Sequence, residues 1–184
     1  MEIYSYKEIS KQKVEDLCGR QLEDDKSIET RVKDIIASVK AKGDQALLDY
    51  AFAFDKVKLD SLFIDKAEIA AIASAIPADA KAAIDQAYQN ISKFHAAQLV
   101  KEAKVETMPG VTCWRESRAI ERVGLYVPGG TAVLPSTFLM LGIPAKLAGC
   151  KQITVCSPPQ SDGKTNCYLA YVAQLLGIER VYLV

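Results

Sequence analysis

The sequence predicts an α/β chain in which a helix-rich α+β part precedes an incomplete βαβαβ unit with parallel strands. Three observations carry this. The 184 residues are 49% apolar and 25% charged, as in ordinary globular domains, and suffice to bury a core without disulfide or metal staples. Charge is unevenly spread: the net charge is zero, yet 16 of the 23 basic and 19 of the 23 acidic residues fall in residues 1–110, leaving 7 and 4 for the rest. Low charge density suits a parallel sheet covered on both faces, or a surface that expects more protein or a ligand against it. From Val123 onward, short apolar runs alternate with helix-length segments, and the equivalent strand positions Val123, Ile153 and Val181 keep the spacing of βαβαβ, half of a doubly wound nucleotide-binding sheet.

The elements follow in order. Val32, Ile35, Ile36 and Val39 define an apolar helix face that Gly43 closes. A second helix starts at Asp44 with Ala46, Leu47, Tyr50 and Ala51 inward, and residues 59–64 (LDSLFI) form a short strand. Ala-rich helices occupy Lys66–Ala75 and Pro77 to about Leu99, with Pro77 in the first turn, where its missing N–H costs nothing. Ile84, Ala87, Tyr88, Ile91, Phe94 and His95 mark the buried face of the longer one. KVETM and VTCWRES, joined at Pro109-Gly110, read as a hairpin. VGLYV (123–127), QITVC (152–156) and ERVYLV (179–184) are the parallel strands, separated by helices that Gly149 and Gly177 terminate. The domain organisation expected is an N-terminal helical arm (1–26), a helix-rich α+β domain (27–122) and an incomplete Rossmann-like domain (123–184). The last residue, Val184, ends a predicted parallel strand, where ligand loops normally emerge, so the chain reads as a truncated piece of a longer protein.

Composition excludes several classes. Disorder, collagen and coiled coil do not fit these proportions. A neutral chain of pI near 6.6 lacks the basic excess of a nucleic-acid binder. The uncharged stretch Gly124–Ala145 is interrupted by Pro128, Pro135, Pro144 and Gly129-Gly130, which suits a buried segment and not a membrane span. Cys18, Cys113, Cys150, Cys156 and Cys167 are odd in number, form no CxxC pair and follow no signal-peptide pattern; free thiols in a reducing cytoplasm are expected.

VGLYVPGG (123–130) is the sharpest local feature. A strand entering Pro-Gly-Gly and then a helix lets a ligand approach backbone N–H groups, although a plain tight turn reads equally well. Ser136 and Thr137 stand where hydroxyls cap a helix, with substrate contact as the alternative. Cys150 and Cys156 read as structural thiols, since no neighbouring His activates them. His95, the single histidine, has no companions for a metal site and serves no nucleophile elbow. Trp114 and Arg115 read as packing and surface.

Residues 121–159, ERVGLYVPGGTAVLPSTFLMLGIPAKLAGCKQITVCSPP, closely resemble the histidinol dehydrogenase family, and the resemblance extends through NISKFHAAQ (90–98), PGVTCWRE (109–116) and KAKGDQALLDYAFAFDK (40–56). It implies an aldehyde-dehydrogenase-like architecture and the amino-terminal two-fifths of an enzyme that oxidises L-histidinol through L-histidinal to L-histidine, in histidine biosynthesis. It further implies NAD and zinc as cofactors and a cytoplasmic homodimer. The tyrosine of the family's GLYVPGG motif contacts NAD, which carries over to Tyr126, with Pro128 beside it as a weaker carry-over. The family's acid/base pair and zinc ligands have no matching positions, so no catalytic and no metal residue is assigned, and the isolated chain is expected to be inactive. The rival readings are a non-catalytic nucleotide- or ligand-binding module and a helical interaction domain with an accessory sheet.

Overall fold

The computed structural model describes residues 3–5, 7, 9–19, 26–100, 102–129 and 133–184, in two compact units, Met1–Ala41 and Lys42–Val184. In the first, α1 (Lys11–Cys18) begins at Ser10, whose Oγ accepts a hydrogen bond from Lys13 N at 3.2 Å and satisfies a donor the helix cannot. α2 (Lys26–Lys42) forms as its periodicity predicts, but its stripe is not buried. Val32 and Ile36 are exposed and Ile35 and Val39 only half-buried.

The second unit opens with α3 (Asp44–Tyr50), which runs into a single π-helical turn at Ala51–Asp55; Ala46 and Ala51 are buried. β1 (Phe63–Asp65) leads directly into α4 (Lys66–Ala73) through a reciprocal cap: Asp65 Oδ1 accepts from Ala67 N and Glu68 N, and Glu68 Oε2 accepts from Asp65 N. α5 (Ala78–Ala96) starts just after Pro77, which occupies the cap itself. Ile84, Ala87, Tyr88 and Ile91 join the core as expected, but Phe94 is 64% exposed. The helix outruns the cluster that its earlier turns pack against.

β2 (Val105–Met108) and β3 (Val111–Cys113) form the expected hairpin, with Gly110 N donating to Glu106 Oε1 at 2.9 Å. Its second strand stops at Cys113, because Val105↔Cys113 is the last pair its partner can supply. Trp114 and Arg115 therefore lie outside it. Every residue of both strands is exposed.

Then come β4 (Arg122–Tyr126), α6 (Pro135–Ala148), β5 (Gln152–Ser157), α7 (Cys167–Leu176) and β6 (Arg180–Leu183). β4, β5 and β6 are mutually parallel, and β1 adds to β6 antiparallel, giving the order β1-β6-β5-β4. Gly149 (φ 87°) and Gly177 (φ 66°) end α6 and α7 in the left-handed conformation that a Cβ disfavours.

Register sorts the sheet into two faces, since successive side chains alternate. Leu125, Val155, Val181 and Ile64 stand opposite one another across the four strands, on the side where Val155, Val181 and Ile64 are buried. α6 and α7 lie side by side, with α5 against α6 and α4 against α7. The core centres on Phe138, Leu139 and Ile143 of α6, residues 169–173 and Leu176 of α7, and this strand face. On the other face, Tyr126, Cys156, Tyr182 and Phe63 form the neighbouring row, and none of them is buried. Among the described residues both crossover helices lie on one side, so the sheet is not covered on both faces. The open face agrees instead with the other reading of low charge density, a surface that expects more protein or a ligand.

Two features of this packing can be measured. A Cβ on Gly142 would collide with Leu176 Cδ1, and Leu176 is itself buried. Gly142→Val should cost about 2 kcal/mol or more by overpacking, read as a lowered denaturation midpoint. Tyr171, buried on α7, donates to Asp85 Oδ1 on α5 at 2.6 Å. Burial first, then this bond and the Asp85 charge, push its phenol up to about 12. The unfolded chain releases that proton near pH 10, so the contribution is present below pH 10 and lost as pH rises towards 12. Tyr171→Phe should flatten that part of the stability–pH curve.

Candidate functional site

β4 and β5 end together at one edge of the sheet. Val127 N donates to Cys156 O at 2.9 Å, which carries the parallel pairing one residue past Tyr126. Beyond it each strand runs into a proline-containing turn, Pro128-Gly129 after β4 and Pro158-Pro159 after β5. The two turns touch: a Cβ at Gly129 would sit 3.2 Å from Pro158 Cδ, so only glycine lets them approach this closely without displacement. Between them opens a cavity of about 410 Å³ lined by Pro128, Gly129, Ser157, Pro158, Asp162 and Asn166, among others. Its size is that of a small-molecule site, and it lies at the carboxyl ends of parallel strands, where open α/β sheets bind ligands. A hollow of about 570 Å³ among Lys146, Lys151, Glu179 and Arg180 is larger, but it sits at the amino ends of β5 and β6.

The cavity wall is ordered by local hydrogen bonds. Asn166 caps α7, its side chain accepting from Tyr168 N at 2.9 Å. Gln160 N donates to Lys164 O, Gly163 N to Gln160 O and Lys164 N to Asp162 Oδ1, closing the β5–α7 loop on itself. Asp162 is the one charged residue among the described lining residues. Ser157, only 1% exposed, ends β5 with a buried hydroxyl that makes no hydrogen bond; the Thr165 hydroxyl, at the far end of the same loop, is in the same position. Buried polar atoms of this kind are uncommon.

The structure places the sequence-derived residues differently from one another. Pro128 lines the cavity. Tyr126 is 58% exposed on the open face of the sheet, beside Cys156, so it is no core residue and it is not part of the cavity wall. Gly130 lies outside the described residues. Ser136 and Thr137 do not cap α6: Leu134 takes that position with no side-chain bond. Pro135 fills the first helical position, so both hydroxyls fall inside the helix, past the cap. Partial burial pushes the half-buried Cys156 thiol up, away from the reactive thiolate. His95 Nδ1 is 2.8 Å from Gln98 Oε1 and its ring meets Phe94 edge-on. Lys104 Nζ lies 4.7 Å from the Trp114 ring centroid, and Arg115 pairs with Glu102. Among the described residues no group of three or more His, Cys, Asp or Glu could hold a metal ion, and no helix is long and apolar enough to cross a membrane.

Sequence reasoning missed Ser157, Asp162 and Asn166. A signal was available for the first: it is the last residue of the second parallel strand, directly before Pro-Pro.

The model of the histidinol dehydrogenase family matches residues 18–184. This chain belongs to the histidinol dehydrogenase family. Its relatives include the histidinol dehydrogenase of Bacteroides fragilis, 48% identical over 151 residues that make up 82% of this chain and 35% of the relative. The histidine biosynthesis trifunctional protein of Komagataella pastoris is 45% identical over 174 residues, 95% of this chain and 20% of that protein. The crystal structure of histidinol dehydrogenase from Elizabethkingia anophelis superposes with a TM-score of 0.87 at 40% identity, covering 96% of this chain and 41% of that one. The chain thus spans about a third to two-fifths of the length of the histidinol dehydrogenases it matches.

Exposure makes a direct prediction for Tyr126. With its ring on an open face, Tyr126→Ala should shift the unfolding free energy by less than about 1 kcal/mol, against about 3–5 kcal/mol for a core aromatic. Chemical denaturation distinguishes the two.

Proposed function

We propose that this chain is the cofactor-side portion of an NAD-dependent histidinol dehydrogenase, which oxidises L-histidinol through L-histidinal to L-histidine. The observation that carries this reading is family membership across residues 18–184, together with a ligand-sized cavity at the carboxyl edge of the parallel strands. The residues present fit a dinucleotide. Gly129 permits close backbone approach, Pro128 and Pro158 offer apolar walls, and Ser157 brings an unused hydroxyl. Asp162 with no lysine or arginine among the described lining residues favours NAD over a cofactor bearing an extra 2′-phosphate. Tyr126, on the open face one residue from the turn, is assigned to flank the cofactor with its ring.

When bound, NAD accepts the hydride at each of the two oxidations; the chain's own part is to hold it at the strand edge. The described residues do not form a donor set for zinc. An aldehyde-dehydrogenase-like architecture and a homodimer belong to the same reading. So does a cytoplasmic site, which the five free cysteines suit.

A chimera tests the proposal. These 184 residues replace the matching segment of the Bacteroides fragilis relative, and NADH formation from L-histidinol is followed. The chimera should turn over, and Tyr126→Ala within it should raise the KM for NAD with little change in Tm. A folded chimera that binds NAD but never reduces it would favour a non-catalytic binding module instead.

A further inference from the structure

We propose that Ser157 is the ribose anchor of the site: its hydroxyl hydrogen-bonds a ribose hydroxyl of the adenosine half of the dinucleotide. The inference rests on the NAD reading above and deepens it to one residue and one part of the ligand.

Topology supplies the first argument. β4, β5 and β6 are consecutive parallel strands of one βαβαβ unit. In doubly wound nucleotide-binding sheets, a carboxylate about 20 residues past the first βα turn reaches the ribose. Here the second strand ends somewhat later, 28 residues past Gly129. That strand is β5 and its last residue is Ser157. No carboxylate ends that strand, and Asp162, in the loop beyond it, already accepts from Lys164 N, so the Ser157 hydroxyl is the unpartnered group at the strand end.

The second argument is independent of topology. Ser157 is fully buried, and its Oγ has no hydrogen-bond partner. A buried hydroxyl without a partner is destabilising, and its presence calls for an explanation that a bound group would supply. Ser157 is also part of the cavity lining, beside Pro128, Gly129 and Pro158. A ribose lying over the two proline turns would bring its hydroxyls to the end of β5. Thr165, the other buried hydroxyl without a partner, is not among the lining residues and is left out of the assignment.

The test compares two probes on the full chain by calorimetric titration: 5′-AMP and its 2′,3′-dideoxy analogue, with NAD as the reference ligand. Ser157→Ala should weaken 5′-AMP about three- to tenfold, the size of one neutral hydrogen bond, and leave the dideoxy analogue unchanged. Its Tm should stay level or rise, because an unsatisfied hydroxyl has been removed. Ser157→Cys, which keeps a side chain of similar shape with a weak donor, should behave as Ser157→Ala does. Equal loss for both probes, or no loss for either, overturns the ribose assignment while NAD binding by the unsubstituted chain leaves the wider reading intact. If the unsubstituted chain binds neither NAD nor 5′-AMP, the NAD reading falls and the assignment with it.

Discussion

The packing of α7 is the constraint on which the second unit depends. Leu169, Ala170, Tyr171, Val172, Ala173 and Leu176 are all buried, so the helix is apolar nearly all round, as a helix enclosed by protein must be. It touches α4, α5 and α6, and its two alanines leave room for close approach. Each large side chain buried this way contributes about 1.5–3 kcal/mol. The same helix holds α5 through Tyr171 and Asp85, and its first turn supplies Asn166 and Leu169 to the cavity wall. Stability and site geometry therefore share one element.

Much of this was legible in the sequence, for a local reason. The parallel strands and their two helices repeat at a fixed spacing, and Gly149 and Gly177 mark the helix ends by a conformation that other residues avoid. The pattern Asp65-x-x-Glu68 carried the capping box as well, although it needed to be read as one. What could not be read was pairing. A three-residue strand such as β1 has too little periodicity to name its partner, and that partner lies at the far end of the chain. Burial was also overestimated, at Phe94, at Val32 and Ile36, and across the open face of the sheet. Apolar residues in the right periodicity announce which face would be covered, not whether anything covers it.

The site divides along the same line. The turn at Pro128 was legible because proline and glycine at a strand end signal one by themselves, whereas a cofactor role for Pro128 came only from the family resemblance. Ser157 was not legible, because a serine before two prolines is an unremarkable loop opening until the register shows it ending β5, with its hydroxyl buried and unmet. Ser136 and Thr137 failed for a narrower reason: Pro135 shifts the start of α6 by enough to carry both past the cap. Hydroxyls near a helix start are informative only once the first helical residue is known.

The antiparallel pairing of β1 with β6 has a consequence for how the chain is made. Phe63 faces Tyr182, about 120 residues later, and contacts of such separation are slow to form because the intervening loop must first close. During synthesis β1 leaves the ribosome long before its partner exists. Until β6 arrives, the capping box of α4 is attached to a strand with no sheet to join, and Ile64 has no core to enter. The early segment is thus held in an unfinished state until β6 is made, a window in which a chaperone or a neighbouring chain has its best opportunity to intervene.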